Sequence, residues 1–246
     1  MEVLNDILGY SNRKIYQNTD FFSFSLDSVM LSNFVTIRLK DKKILDLGTG
    51  NGVIPLILSL RTDKSIIGVE IQKALVELAK KSVKYNNLES QISIVHSDMK
   101  DYVSFNTIEQ YDIITCNPPY FKVNDKNFFN ETKEKMIARH EVCISLEEVI
   151  CTASKLLKNK GNFSIVHRSE RLLEIFDLFR KYNIEPKRVQ FVHEKVNKDS
   201  TLVLIEGCKC GKSGLKVESP FIMYNEDGTK TNEYEKFLLE VRHEAK

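Results

Sequence analysis

The sequence lacks the features that hold fibrous or disulfide-stapled proteins together. Its 246 residues contain no tryptophan. They include only five prolines and ten glycines, too few for a collagen-like or low-complexity chain. The five cysteines are odd in number and form no Cys-x-x-Cys pair, so a reducing compartment is favoured over a disulfide framework. Only Cys208 and Cys210 are close together, and no histidine near them would complete a zinc site. We therefore predict no metal.

The chain also lacks a long apolar run and an excess of one charge. The apolar stretch 53–60 is far shorter than a membrane span, and the first six residues do not resemble a signal peptide. Lys and Arg number 36 against 34 Asp and Glu, which excludes a polycationic nucleic-acid coat but permits a local basic patch. We expect a cytoplasmic protein without membrane contact and without an obligate protein partner.

From residue 42 onward, short apolar runs alternate with helical patterns, as in parallel strands joined by crossover helices. The last two predicted strands are joined by residues 194–200, too few for a crossover helix, so they should pair antiparallel. The fold class is therefore α/β, a doubly wound sheet of seven strands that ends in an antiparallel hairpin. The predicted strands are 43–47, 65–69, 91–96, 111–116, 162–167, 188–193 and 201–205.

Two amphipathic helices are predicted between the later strands. Apolar residues recur at helical spacing over 146–157 and 172–179. Ser145 and Glu148 form a capping box ahead of the first helix, and Gly161 is a candidate stop.

Shorter segments flank the sheet domain, which is assigned to 42–206. Residues 1–41 form an N-terminal extension that contains one helix. Residues 207–246 form a C-terminal extension packed on the same domain, with a strand over 221–224 and a helix over 237–241. The apolar face of the N-terminal helix consists of Leu26, Val29, Met30, Phe34 and Ile37.

A glycine-rich turn follows the first predicted strand. Gly48, Gly50 and Gly52 would let the backbone approach a ligand closely, and the next helix would offer its N-terminus to polar groups. A dinucleotide fingerprint requires its third glycine one residue later, where this chain has Val53. A nucleotide-type ligand other than NAD is therefore favoured.

Three acids, Asp46, Glu70 and Asp98, lie at the ends of three successive predicted strands. The run from Asp46 to Gly52 resembles the first motif of the methyltransferase superfamily, whose ligand is S-adenosylmethionine. In that setting Glu70 would accept hydrogen bonds from both ribose hydroxyls, and Asp98 would accept one from the adenine amino group. Taken singly, Glu70 and Asp98 are more often helix caps or solvated loop residues, but the three acids in register with the glycine turn favour a cofactor site.

The run Asn117, Pro118, Pro119 and Tyr120 follows the fourth predicted strand. Two prolines stiffen the turn, so the Asn117 side-chain oxygen and the Pro118 carbonyl could accept both N–H bonds of one planar amine while Tyr120 stacks on a base. Such acceptors favour the lone pair turning toward a sulfonium methyl group without a metal or a strong base. The competing interpretation is a proline turn capped by asparagine.

With these motifs in place, the chain resembles the class I methyltransferases that act on amines. The runs 22–31, 116–122 and 137–141 are similar to the bacterial tRNA(Val) adenine-N6 methyltransferases, which modify adenosine 37 beside the anticodon. The resemblance implies a tRNA partner and assigns catalysis to Asn117, Pro118 and Tyr120. It assigns cofactor binding to Asp46, Gly48, Gly50, Gly52, Glu70, Asp98 and Asn117.

Two other functions are alternatives. The glutamine side chain modified by a protein glutamine-N5 methyltransferase also presents a planar amine, but such an enzyme needs a separate helical substrate domain, for which 41 residues are too few. A non-catalytic RNA-binding module would have lost the cofactor or amine motif, and both are intact here.

Support for RNA from the residues themselves comes from two basic stretches, 180–198 and 209–216, whose lysines and arginines could contact phosphates or simply be solvated. Residues 121–136 are a candidate lid that carries Phe128 and Phe129. Arg139 and His140 are candidates for positioning RNA. Ser25 and Asp27 either reach the methionine end of the cofactor or cap the N-terminal helix.

Overall fold

The computed structural model describes residues 1–8, 10–18, 26–105, 109–120 and 144–240. Phe128, Phe129, Arg139, His140 and Ser25, together with the candidate lid, lie outside these ranges. The described part contains eleven strands and seven α-helices. The strands are β1 Glu2–Ile7, β2 Tyr10–Asn18, β3 Lys43–Leu47, β4 Ser65–Glu70, β5 Ile92–His96, β6 Tyr111–Cys116, β7 Leu157–Arg168, β8 Ile184–Lys195, β9 Ser200–Lys209, β10 Lys216–Val217 and β11 Phe221–Tyr224. The helices are α1 Leu26–Phe34, α2 Val53–Arg61, α3 Lys73–Tyr85, α4 Met99–Phe105, α5 Leu146–Leu156, α6 Leu172–Lys181 and α7 Asn232–Glu240.

Strands β3 to β11 form one nine-stranded sheet in the order β10-β8-β9-β7-β6-β3-β4-β5, with β11 also paired to β8. The five strands β7, β6, β3, β4 and β5 are parallel to one another. Strand β9 lies between β7 and β8 and is antiparallel to both. All seven predicted strands are present, so the α/β class and the closing antiparallel hairpin are confirmed.

The sheet is larger than predicted because the C-terminal extension adds two short strands. Both β10 and β11 pair parallel to β8 along its outer edge. At two residues, β10 is too short to produce a recognisable alternation. The N-terminal extension likewise contains an antiparallel hairpin of β1 and β2 in addition to the expected helix.

Apolar side chains of the sheet alternate between two cores, one on each face. On β3, Ile44 faces the core built with α1, α2 and the N-terminal hairpin, whereas Leu45 faces the core built with α5 and α6. Phe221 and Tyr234 of the C-terminal extension join the first core. Among the described residues, no helix is both long enough and apolar enough to cross a bilayer.

The helix boundaries test the caps predicted from sequence. At α5, the Ser145 hydroxyl accepts from the Glu148 backbone N–H at 3.2 Å, and the Ser145 N–H donates to the Glu148 carboxylate at 2.8 Å, so the capping box is confirmed. The stop at Gly161 is wrong, because α5 ends at Leu156 and β7 begins directly after it. A Cβ at residue 161 would lie 2.9 Å from the Lys158 carbonyl oxygen, so this glycine serves close backbone packing.

The other helices also differ slightly from prediction at their ends. Helix α1 ends at Phe34, which leaves Ile37 beyond it. Helix α7 begins at Asn232, five residues before the predicted start at 237. Helix ends are specified less strongly by apolar periodicity than helix centres are.

A buried carboxylate on β9 ties the N-terminal extension to the sheet. Glu206 is 3% exposed and accepts from the Thr36 N–H at 2.9 Å, the Thr36 hydroxyl at 2.8 Å and the Ser164 hydroxyl at 3.1 Å. The Arg188 guanidinium lies 3.3 Å from the same carboxylate and packs over the Phe34 ring. All of these partners are donors, so the position requires a group that only accepts.

Glu206→Gln should therefore lower the free energy of unfolding by about 2–3 kcal/mol, since its amide would point a donor at other donors in a buried position. Urea denaturation followed by circular dichroism measures this difference. Glu2→Gln removes an ion pair with Lys81 in which both side chains are about half exposed, and it is the control, for which we expect a change under about 0.5 kcal/mol. Equal effects of the two substitutions would contradict a structural role for the Glu206 network.

Candidate functional site

The carboxyl ends of the parallel strands meet at one edge of the sheet. Leu47, at the end of β3, is in register with Val69 on β4 and with Cys116 on β6. The turns that follow these strands therefore lie side by side, as expected for ligand sites in open α/β sheets. This register brings the glycine turn, Glu70 and the Asn-Pro-Pro-Tyr turn together at what we call the carboxyl edge.

The glycine turn adopts backbone angles that require glycine. Gly48, Gly50 and Gly52 have φ values of +68°, +58° and +89°, in the left-handed region that side chains disfavour. The N–H groups of Gly48 and Thr49 both donate to the Val69 carbonyl, at 2.9 and 3.0 Å, which fixes the turn against β4. A Cβ on Gly50 would meet no atom within 4 Å, so the backbone there borders open space.

Gly68, inside β4, is a site residue that the sequence analysis did not identify. A Cβ at this position would lie 2.8 Å from the Thr49 side chain and 3.0 Å from Ile94. The glycine thus lets the turn sit directly on the neighbouring strand. A glycine in the middle of a strand was the available signal, because such a residue often marks close approach of another segment.

Two predicted acids lie buried beneath this turn. Asp46 is fully buried, and its Oδ1 accepts from the Thr115 hydroxyl at 2.7 Å, while its Oδ2 has no partner within the described residues. Burial raises the pKa of Asp46 to about 7, opposed by the Thr115 hydrogen bond. Glu70 accepts from the Gly50 N–H at 3.0 Å and from the Gln72 N–H at 2.9 Å, and burial raises its pKa as well.

Asp98, the third predicted acid, has a local role at the start of a helix. Asp98 immediately precedes α4, and its Oδ1 accepts at 2.8 Å from the N–H of Lys100 in the first turn of that helix. This contact agrees with the interpretation of Asp98 as a helix cap. Recognition of an adenine amino group by Asp98 stays a prediction.

The Asn-Pro-Pro-Tyr turn is fastened to α1 by side-chain hydrogen bonds. The Asn117 side-chain N–H donates to the Ser28 hydroxyl oxygen at 2.8 Å. The Tyr120 hydroxyl lies 2.7 Å from Asp27 Oδ2 and 2.8 Å from Asn117 Oδ1. Asp27 was expected at the cofactor or as a cap, and Ser28 was not identified, since contacts between residues about ninety positions apart leave no local pattern.

Residues at the end of β7 surround the Tyr120 ring. The His167 ring lies 5.2 Å from it, and the Arg168 guanidinium lies 5.7 Å from its centroid. Burial, followed by the charge of Arg171, lowers the pKa of His167 to about 3, so this ring is neutral. Burial, followed by the charge of Asp27, raises the pKa of Tyr120 well above its usual value, so the phenol keeps its proton.

The basic residues of these stretches lie at both edges of the sheet, and the stretch 180–198 itself reaches from one edge to the other. Because β8 runs parallel to β7, the turn that carries Lys198 lies at the carboxyl edge, whereas Lys187 near the start of β8 lies toward the opposite edge. Lys209 donates to the Leu157 carbonyl and pairs with Glu109, also at that opposite edge. The stretches do not form one continuous basic patch.

Comparison with known proteins agrees with this geometry. Residues 25–192 match the model of the methyltransferase small domain family. The chain belongs to that family. Its relatives include the tRNA1(Val) (adenine(37)-N6)-methyltransferase of Phocaeicola vulgatus, 25% identical over 91% of this chain and 94% of that protein. The enzyme of the same name from Bacteroides fragilis is 30% identical over 69% of this chain and 70% of that protein.

The same fold is found in a crystal structure of a predicted O-methyltransferase from Agrobacterium tumefaciens, with a TM-score of 0.69 and 18% identity. The superposition covers 88% of this chain and 97% of that one. The resemblance to class I methyltransferases of the adenine-N6 type is thus confirmed, and the chain is an enzyme that uses S-adenosylmethionine.

The residues present fit this cofactor. Gly50 borders open space, and within the described part of the chain the Glu70 carboxylate beside it binds backbone N–H groups, from which it could turn to ribose hydroxyls. The unpartnered Asp46 oxygen marks a further polar group beneath the turn. No group of three or more His, Cys, Asp or Glu side chains in the described ranges is placed to hold a metal ion.

The raised pKa of Asp46 predicts a pH-dependent stability. Its folded pKa of about 7 lies above the ordinary value of 3.8, so the cofactor-free protein loses stability as pH rises from 4 toward 7, by at most about 1.4 kcal/mol per pH unit. Asp46→Asn has no such proton to lose. We expect its free energy of unfolding to rise relative to the parent protein between pH 5 and pH 7 in urea titrations. Parallel pH profiles would contradict the buried, proton-retaining carboxyl group.

Proposed function

We propose that this methyltransferase modifies the N6 amine of an adenosine in tRNA, namely adenosine 37 of tRNA1(Val). The observation that carries the proposal is the Asn-Pro-Pro-Tyr turn, held rigidly at the carboxyl edge next to the cofactor residues. The similarity to the tRNA1(Val) enzymes over nearly the whole chain supports this choice of substrate.

The proposed chemistry follows from the acceptors of the turn. An adenine amine is a poor nucleophile because its lone pair is delocalised into the ring. Asn117 Oδ1 and the Pro118 carbonyl oxygen would accept its two N–H bonds and so favour the lone pair turning out of the ring plane, while Tyr120 stacks on the base. The amine gives up its proton after attack, so no strong base is needed.

The cofactor would be held by the glycine turn and the neighbouring acids. Gly48, Gly50 and Gly52 allow close approach of the backbone, Glu70 is placed for the ribose hydroxyls, and Asp98 is proposed for the adenine amine. When bound, S-adenosylmethionine supplies the electrophilic methyl group. We assign these roles to residues 42–206 as the catalytic unit, with 1–41 and 207–246 as extensions.

The anticodon loop suits this site. A loop adenosine is already unpaired, so presenting it to the turn costs less than flipping a base from a duplex. The Arg168 guanidinium beside Tyr120 and the lysines at the β8–β9 turn would meet the neighbouring phosphates. Such a substrate places the reaction in the cytoplasm and requires no further protein partner.

The function is tested with purified protein, radiolabelled S-adenosylmethionine and tRNA from cells that lack this gene. We expect labelled N6-methyladenosine, which nucleoside mapping locates at position 37 of tRNA1(Val). Methylation of a release factor in place of tRNA would replace the proposal with a glutamine-N5 activity. Failure to bind cofactor in calorimetry would indicate a non-catalytic RNA-binding protein.

Asn117→Ala should lower turnover at least about a thousandfold, because the amine loses an acceptor that acts in the transition state. Calorimetric affinity for S-adenosylmethionine should change less than about threefold, since the glycine turn and Glu70 are untouched. Loss of both activity and cofactor affinity would make Asn117 mainly structural.

Lys198→Ala and Lys187→Ala form a matched pair for the RNA surface, because the two lysines lie toward opposite edges of the sheet. We expect Lys198→Ala to reduce the slope of log affinity against log salt by about 0.7–0.9, the value of one phosphate contact. Lys187→Ala should leave the slope unchanged. Filter binding of tRNA from 50 to 300 mM KCl measures both slopes. A larger effect at Lys187 would place the RNA at the edge opposite the carboxyl edge and would contradict the proposed RNA surface.

A further inference from the structure

The N-terminal helix supplies two neighbouring polar side chains to the Asn-Pro-Pro-Tyr turn. Ser28 is buried and accepts from the Asn117 side-chain N–H at 2.8 Å. Asp27 Oδ2 lies 2.7 Å from the Tyr120 hydroxyl. Ser28 is further fixed because its carbonyl accepts from the Ser32 hydroxyl at 2.7 Å, one turn later in α1. The orientation of the turn therefore depends on a segment outside the sheet.

The Tyr120 hydroxyl has two acceptors but one proton. Asn117 Oδ1, at 2.8 Å, and Asp27 Oδ2, at 2.7 Å, are both within hydrogen-bond distance. A carboxylate is the stronger acceptor, because a hydrogen bond to a charged oxygen is shorter and about twice as strong as one to a neutral oxygen. The proton is therefore drawn toward Asp27.

The competition matters because Asn117 Oδ1 is the atom assigned to the target amine. A carbonyl oxygen that already accepts from Tyr120 is a poorer acceptor for a second donor, and the phenol crowds one of its lone pairs. When Tyr120 donates to Asp27, Asn117 Oδ1 keeps its lone pairs for the amine. The Ser28 bond meanwhile fixes the plane of the amide.

We propose that Asp27 and Ser28 are positioning residues for Asn117: Asp27 holds the Tyr120 proton away from Asn117 Oδ1, and Ser28 sets the direction of its amide. This inference rests on the proposed function, since it assumes that Asn117 receives the amine. No bond is made or broken by either residue. Their effect is to keep Asn117 Oδ1 free to accept from the amine and to fix its orientation.

The other groups around Tyr120 do not take over this role. The His167 ring packs against the phenol ring and is neutral, and its Nδ1 already accepts from the Arg168 N–H at 2.8 Å. Arg168 approaches the ring face and brings donors only. Cys116 is buried, and burial raises the pKa of its thiol well above the usual value, so it is not an anionic acceptor. Among the described residues near Tyr120, Asp27 is the carboxylate that accepts from it.

A double-mutant cycle between Asp27 and Tyr120 tests the proposal. In the parent background, Asp27→Asn should lower kcat about tenfold and Asp27→Ala more strongly, because the neutral amide competes less well for the proton and alanine leaves Asn117 as the acceptor. The KM for tRNA should change less than about twofold. In the Tyr120→Phe background, which has its own loss of activity, neither substitution at 27 should lower kcat further by more than about twofold.

A measurement without RNA separates this inference from the proposed function. In nitrogen–proton correlation spectra, the Asn117 side-chain amide signals are assigned from their absence in Asn117→Ala. We expect Asp27→Asn to shift them when residue 120 is tyrosine and to leave them in place when it is phenylalanine. Ser28→Ala should shift them in both backgrounds, because it removes the acceptor of the Asn117 N–H.

The controls exclude a loss of folding or of cofactor binding. Asp63→Asn removes an exposed carboxylate that precedes β4 at the opposite edge and should leave kcat and the spectra unchanged. Each variant must retain the parent thermal midpoint and calorimetric affinity for S-adenosylmethionine. Equal effects of Asp27→Asn in the two backgrounds, on kcat or on the amide signals, would overturn the proposal. Parent protein that leaves tRNA unmethylated would overturn the function, while the spectra would still decide the role of Asp27.

Discussion

The parallel hydrogen-bond ladder of the central strands is the constraint on which the site depends. Register pairs such as Leu47 with Val69 and Leu47 with Cys116 bring separate turns to one edge of the sheet. A slip of one residue in either ladder would displace Glu70 from Asn117, and it would also exchange the side chains that each strand contributes to the two cores. The chemistry of the carboxyl edge is therefore protected by the whole hydrophobic core rather than by contacts among the functional residues.

The central sheet and the glycine turn of the site follow from local sequence patterns. Apolar periodicity predicts the seven principal strands, and the glycines predict a turn whose positive φ values the structure contains. The β1–β2 hairpin leaves little signal because its strands carry many polar residues without regular alternation. Ser28 acts through a hydrogen bond to Asn117, a residue distant in sequence, which composition and spacing do not encode. Gly68 packs against Thr49 and left one signal, a glycine inside a predicted strand. The basic residues show a further limit of sequence patterns, since Lys187 and Lys198 belong to one basic stretch but lie toward opposite edges of the sheet.

The site is completed from outside the sheet. Helix α1 lies ahead of the first parallel strand, yet it supplies the partners of both Asn117 and Tyr120. The Glu206 network fixes the segment directly after α1 through the backbone N–H and the hydroxyl of Thr36. Arg188 extends this anchorage to Phe34, whose carbonyl and ring it contacts. The buried Glu206 carboxylate on β9 thus helps to position Asp27 and Ser28, although Glu206 is distant in sequence from both.

The two short strands of the C-terminal extension have a consequence for solubility. An uncovered edge strand presents a row of backbone donors and acceptors that can recruit strands of other molecules. Strands β10 and β11 occupy that edge of β8, and charged residues such as Lys216 and Glu218 flank the added backbone. The extension therefore shields residues 188–195 of β8 from intermolecular pairing, which would protect the enzyme against aggregation.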